Sequence, residues 1–348
     1  LLTTDSLQVW HFYVVNALIG LGNAFQWPAY SAAITTMVPK EQYGRANGLM
    51  SLVQAGPAVV APLLAGALLP VIKLNGILLI DIATFLLAIG ALMLVHVPPP
   101  TRTVDGQAGK GNLWHEATFG FKYIFARPSL LGYVILLFFA NLFLGFPNSV
   151  HVPMVLLRTD NNSLILGAVQ TAGAISWTVG SLLMSAWGGP RRRIHGALLG
   201  WIFYCLIGNI IFGLGRSLGV WVPAILVAGI GSNIGVATSQ AILQAKVAPD
   251  VQGRVFSARR MLTWFPDTFT PVLGGLLADY VMEPAMQSQS WLAGLFGWMV
   301  GTDPGSGMAL IMIIFGFLTI FTMLSGYLNP NIRNMEDLLP DHDQLPKA

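Results

Sequence analysis

Residues 20–68 return at residues 229–277 with a constant offset of 209 and no gap. The shared positions are Gly20/Gly229, Gly22/Gly231, Ala32/Ala241, Val38/Val247, Gly44/Gly253, Arg45/Arg254, Pro57/Pro266, Pro62/Pro271, Leu64/Leu273, Gly66/Gly275 and Leu68/Leu277. The offset is far longer than the ~20–50 residues of a solenoid unit. Both copies lie in strongly apolar stretches, so the duplicated object is a whole membrane-embedded half, repeated in the same orientation.

Composition fixes the solvent. The chain is 54% hydrophobic and 9% charged, with a mean hydropathy of +0.66, more apolar surface than a soluble core of this size needs. An isoelectric point near 9.1 raises nucleic acid as a partner. A net charge of +3 spread over short loops fits membrane topology better, and no nucleic-acid partner is expected. The lone Cys205 excludes an intrachain disulfide and a cysteine metal cage.

Apolar runs long enough to cross a ~30 Å hydrocarbon layer fall at 8–36, 46–72, 75–97, 129–150, 163–188, 195–215, 218–243, 256–280 and 306–328. They predict an all-α membrane protein of nine transmembrane helices. The runs are rich in Gly, Ala, Ser and Thr, which lets helices approach closely where no hydrophobic drive holds them together. Nothing alternates in the manner of a barrel strand. With the loops after the first, third, fifth and seventh spans on one side, together with the C-terminus, that side collects 15 of the 18 lysines and arginines. Lys73, Arg158 and Arg216 stay on the other. The asymmetry predicts a multi-pass membrane protein with its C-terminus in the cytoplasm.

Subtracting the offset from the fourth span places its counterpart upstream of Leu1, so three further spans are expected to precede this chain, twelve in all. The expected organisation is residues 1–97 as the last three spans of an N-terminal half and 98–128 as a cytoplasmic linker with an interfacial helix. Residues 129–328 then form a complete six-span C-terminal half, and 329–348 a cytoplasmic tail. In the linker, Trp114, Phe119, Tyr123 and Phe125 with Lys122 and Arg127 suit an amphipathic helix lying on the membrane surface. Trp291, Phe296 and Trp298 suit docking at the opposite interface.

Several segments carry a family resemblance. VPKEQYGRANGL leads into one proline-rich span and GRVFSARRML into its repeat, and the tail reads LADYVMEPAM, GWMVGTDPGSGMAL and GYLNPNIRNMEDLLPDHD. Ala61–Gly66 (APLLAG) and Thr270–Gly275 (TPVLGG) are similar to an antiporter signature from which the first glycine has been lost. Gly188–Arg193 (GGPRRR) resembles a degenerate cytoplasmic loop signature without its acidic residue. Together these resemble the major facilitator superfamily, and in particular its bacterial drug-efflux branch of macrolide and siderophore exporters. The resemblance implies a proton antiporter of a bacterial inner membrane that exports an amphiphilic, drug-like solute, works as a monomer and binds substrate between its halves. An importer of the same fold and a transport-inactive membrane partner remain open as alternatives.

The resemblance also implies that the first, fourth and seventh spans line the cavity, and the residues agree independently. Asn16, Asn23, Gln26 and Tyr30 fall within about 80° on a helical projection, and Asn141, Asn148 and His151 repeat the spacing of the first three. Asn233, Gln240 and Gln244 form a third stripe. Amides are costly toward lipid, so each stripe faces another helix or water. Interhelical hydrogen bonding is the plainer reading of any single member. With Trp27 nearby, this furniture suits a bulky neutral or weakly cationic amphiphile.

Among in-span ionisable groups, Asp267, after Pro266, is the leading candidate for proton coupling, with Asp81 second. Pairing with Arg260, on the same helical face about two turns away, is the competing structural role for Asp267. Arg45, Arg254, Arg191, Arg192, Arg193 and Arg260 are candidates for anchoring loops or closing an inner gate. The paired prolines remove backbone donors and bend their helices. The six histidines form no HExxH-like pair and no phosphate-cradling GxxxxGK occurs, so neither catalysis, metal nor cofactor is expected.

Overall fold

The computed structural model describes residues 9–94, 103, 107, 112–287 and 290–344, leaving aside some side chains of the first two long helices, among them 55–67. Helix α1 (Val9–Met37) turns through a short 3-10 segment (Lys40–Gln42) into α2 (Tyr43–Leu94), which breaks at Lys73, a non-glycine residue with φ of 55°. Helix α3 (Leu113–Phe125) precedes the long α4 (Pro128–Leu157) and α5 (Ser163–Trp187). Then come α6 (Arg193–Leu214) and α7 (Leu218–Lys246). Helix α8 (Pro249–Trp264) leads through a 3-10 turn into α9 (Thr270–Leu277), followed by α10 (Glu283–Gln287), α11 (Trp291–Val300) and α12 (Ser306–Leu328). Two short tail helices, α13 (Pro330–Arg333) and α14 (Met335–Leu338), end the described chain.

Among the described residues six helices are long and apolar enough to cross a membrane: Gly76–Leu94, Pro128–Leu157, Ser163–Trp187, Arg193–Leu214, Leu218–Lys246 and Ser306–Leu328. The expected span at 256–280 is not one helix. Pro266 and Pro271 each lack a backbone donor, and the chain answers with a 3-10 turn over Phe265–Thr268 and a fresh helix start at Thr270. A second irregularity is a π-helical stretch at Cys205–Ile211 within α6. The lipid-facing belt is plain in exposed side chains such as Leu164, Leu199, Phe321 and Leu328, which only a hydrocarbon solvent leaves without penalty. This is a multi-pass membrane protein.

Two apolar cores sit at opposite ends of the α4–α12 bundle. One joins Leu130, Tyr133, Leu198, Leu243, Val251 and Met323 at the end that carries Arg193 and Lys246. The other joins Met154, Phe212, Trp221, Met282 and Leu310 at the far end. Between them α6 and α7 cross on glycines. A Cβ added at Gly200 would stand 2.6 Å from the Gly231 carbonyl oxygen and 2.6 Å from the Gly235 nitrogen. Gly196/Gly200 and Gly231/Gly235 are two small-xxx-small pairs that bring the backbones together and gain dispersion contact in place of the hydrophobic drive. At the far end the buried Glu283 accepts hydrogen bonds from the Gly305 N–H (3.0 Å) and Met308 N–H (2.8 Å). It thereby satisfies orphan donors at the start of α12.

The four aromatics of the linker helix divide. Asn112 caps α3 by accepting from the His115 N–H at 2.8 Å. Trp114 and Phe125 are exposed, whereas Tyr123 is buried in the core and Phe119 packs against it. The expected membrane-surface stripe is therefore only half available, because α3 lies so close to α8 that a side chain at Gly120 would meet the Arg254 carbonyl. On α11, Trp291 and Trp298 are exposed and Phe296 packs inward.

Candidate functional site

The stretches of α4, α5, α6 and α7 that separate the two cores, with the 3-10 turn after α8, line an open-sided cavity of about 270 Å³, with Asp267 exposed at its edge. Asn141 and Asn148 line it from α4, Trp177 from α5, Trp201 and Tyr204 from α6, and Asp267 from the turn. The proline break explains why Asp267 is available, since a regular helix would keep turning past this position, whereas the 3-10 turn presents the carboxylate at a helix interruption. Asp267 makes no ion pair among the described residues. Arg260, its expected partner, instead lies over the Trp264 ring at 4.1 Å.

Of the α4 stripe, Asn141 and Asn148 reach the cavity but His151 does not. Its ring stacks on Phe212 at 4.5 Å, with Nε2 buried and without a partner. On α7, Asn233 donates to Ser181 Oγ at 2.8 Å and ties α7 to α5. On α1 the side chains of Asn16, Asn23 and Trp27 lie outside the described residues, and Gln26 and Tyr30 are exposed. Asp81 is exposed on α2, away from the cavity. Trp177, Trp201 and Tyr204 escaped the sequence reading, which looked to other helices for the lining. The signal available was their depth: tryptophan in membrane helices concentrates at the interfaces, and these two sit well inside their spans.

Gln240 and Gln244 serve a seam between α1–α2 and α7–α8. Gln240 Nε2 donates to Ser31 Oγ at 2.6 Å, Gln244 Nε2 donates to the same oxygen at 3.1 Å, and Asn47 Nδ2 donates to Gln244 Oε1 at 2.6 Å. Thr35 Oγ1 donates to Gln252 Oε1 at 3.1 Å. Ser31 and Gln240 are separated by 209 residues, the repeat offset itself. Equivalent positions of the two copies thus touch across a local pseudo-two-fold axis, as residues do at the centre of an isologous interface. Beside this seam α2 meets the end of α5 so closely that a side chain at Gly44 would strike the Gly188 carbonyl.

The tail clamps the same end. Lys40 pairs with Asp341 and Asp343, both at 2.9 Å, and Lys246 with Asp341 at 2.8 Å. Tyr43 Oη lies 3.1 Å from His342 Nε2. Glu336 accepts from the Ile194 N–H, and Arg192 pairs with Asp337 at 3.2 Å. Arg193 donates to the Lys40 carbonyl at 2.5 Å, and Arg254 faces Glu116 at 3.7 Å. Arg45 and Arg191 are exposed, Arg45 against Gly188. One tail segment therefore binds basic groups of both repeat copies.

Burial is the largest influence on Asp341 and pushes its carboxyl up, but hydrogen bonds from Lys246 and Lys40 outweigh it and hold it below the ordinary carboxylate range. His342 is pushed below its ordinary value, first by burial, with Asp343 and Asp341 opposing and Lys40 assisting. A lowered folded-state value means that the neutral ring favours docking. This contribution is present above the unfolded imidazole range and is lost as pH falls through the folded value. Glu336 is pushed up by burial above all and acts in the opposite sense. Protection from amide exchange over residues 335–344, each rate taken against that of the unstructured chain at the same pH, is therefore expected to be weaker at about pH 5.5 than at about pH 7.5 by a margin that His342→Gln removes. An unchanged margin in that variant would show that the ring does not hold the tail.

The helix succession, the gap-free duplication and the contact between its copies are those of a transporter-type helical bundle. A family model, the Major Facilitator Superfamily, matches residues 1–271, and the chain belongs to that family. Macrolide efflux protein A of Streptococcus pyogenes is 26% identical over 280 residues, covering 79% of this chain and 68% of the relative. The protein of the same name in Enterococcus faecalis is 27% identical over 256 residues, 72% of this chain and 77% of its own. An uncharacterized MFS-type transporter of Bacillus subtilis is 24% identical over 302 residues, with shares of 79% and 66%.

Proposed function

We propose that this protein is a secondary active exporter of amphiphilic, drug-like molecules, driven by protons moving the other way. The observation that carries the reading is the placement of the Asp267 cavity between two packed cores, at a depth between the ends of the spans. A solute site at that depth is what alternating access requires. The names of two relatives supply the direction, outward, and the substrate character.

In this reading the chain contributes nine spans. The six continuous helices are joined by α1, by the part of α2 before Lys73 and by the broken α8–α9 pair. Residues 1–97 belong to the N-terminal half, 98–128 form the linker, 129–328 the C-terminal half and 329–348 the tail. The seam and tail clamp face the cytoplasm of a bacterium, on the positive-inside rule. Substrate occupies the Asn141, Asn148 and Asp267 region, and Asp267 carries the coupling proton.

Orientation has its own check. A cysteine at the exposed Ser217 is expected to react with an impermeant reagent in intact cells and one at the exposed Gln107 only after permeabilisation, with little background because Cys205 is buried. Reversed labelling would overturn the orientation. The function itself is tested in sealed vesicles with an imposed proton gradient, comparing amphiphilic drugs with small nutrients. Drug movement opposite to protons is expected. Uptake in the direction of the protons would establish an importer, and no movement across a broad panel by folded protein would establish an inactive partner.

A further inference from the structure

The chemistry of the cavity points one way. Its single charge is Asp267, and among the described residues no Lys, Arg or His lines it. That carboxylate has neither an ion pair nor a capping hydrogen bond to the start of α9. Asn141 Nδ2 donates one of its two N–H groups to the Leu137 carbonyl at 2.9 Å, which leaves its oxygen and one N–H to offer a ligand. Trp201 and Tyr204 meet edge to face, with ring centres 5.9 Å apart and planes at 88°. Trp177 lies on the same wall set.

An anion would meet the carboxylate of Asp267, exposed at the open side of the cavity and without a cation beside it among the described residues, and like charges repel. A neutral guest would leave that carboxylate desolvated without compensation. A cation meets a carboxylate and aromatic faces whose quadrupoles attract it. Size narrows the guest further, because about 270 Å³ falls below the ~300–1,000 Å³ typical of sites that enclose a drug-sized molecule.

We propose that this cavity is a headgroup site for organic monocations: it takes the protonated-amine or quaternary-ammonium arm of an amphiphile between Asp267 and the rings of Trp177, Trp201 and Tyr204. The rest of the molecule lies outside it. The site names the substrate class of the exporter proposed above and rests on that reading for its physiological meaning, while binding is measured apart from transport.

The test is binding to the purified, unsubstituted protein of three probes of one shape: benzyltrimethylammonium, its uncharged carbon isostere neopentylbenzene, and the anion phenylmethanesulfonate. The cation is expected to bind about tenfold or more tightly than either other probe. Asp267→Asn is expected to lower its affinity about tenfold, Asp267→Glu to retain it, and Trp201→Leu to lower it about fivefold. Equal affinity for cation and isostere, or cation binding untouched by Asp267→Asn, overturns the site. Should Asp267→Asn not fold, the three-probe comparison on the unsubstituted protein decides alone. Cation-selective binding in a protein that moves nothing in vesicles would refute the exporter and leave the site standing. Driven drug export without any cation preference would do the reverse.

Discussion

Gly200→Leu is expected to abolish accumulation of folded protein. The position opposite Gly200 is not a flexible side chain but the backbone of α7, with the Gly231 oxygen and the Gly235 nitrogen each 2.6 Å from an added Cβ. Overpacking in ordinary cores costs about 1–3 kcal/mol because side chains shift to make room. Here a whole helix would have to move, and α7 carries Asn233, Gln240 and Gln244, each hydrogen-bonded to another helix. Gly200→Ala, one methyl, is expected to fold with a melting temperature lowered by several degrees, and Gly167→Ala, where nothing lies within 4 Å, to melt like the parent. Size-exclusion profiles and thermal melts check the series. A Gly200→Leu protein that melts within about 3 °C of the parent would refute the close crossing.

Asp267→Asn is expected to yield folded protein that has lost gradient-driven transport altogether. With Arg260 turned onto Trp264, removing the carboxylate strands no buried cation, so the destabilisation that follows the breaking of a buried pair is not expected. Asparagine keeps the size and the acceptor oxygen but cannot exchange a proton. The loss should therefore persist at substrate concentrations high enough to refill a weakened site, which separates coupling from binding. Driven transport near the parental rate would remove Asp267 from the coupling step.

The duplicated segment and the alternation of basic and non-basic loops made the bundle readable, because hydropathy and charge placement are local properties of the chain. The family followed from short segments such as VPKEQYGRANGL and GRVFSARRML. Asp267, Asn141 and Asn148 were legible as in-span polar groups, which the membrane makes expensive and so informative. What escaped was the assignment of partners. Gln240 and Gln244 shared a stripe, and periodicity reports that a face is polar without saying whether water or another helix lies opposite. The broken helix at Pro266 shifted Arg260 away from Asp267, although their spacing had placed them on one face. Trp177 and Trp201 were hidden by an expectation about which helices line a cavity.

The contact between Ser31 and Gln240 carries an implication about history. Two positions one repeat offset apart touch each other, which residues related by a two-fold do only beside its axis. In a dimer made from two copies of a single half, that place would hold one residue touching its own twin. A twin pair must use the same side chain as both giver and receiver of a hydrogen bond. In one chain that constraint does not hold, and the pair here is a short hydroxyl and a long amide that reaches across to it. Placing serine at both positions, or glutamine at both, would restore the ancestral symmetry at one point of a fused protein.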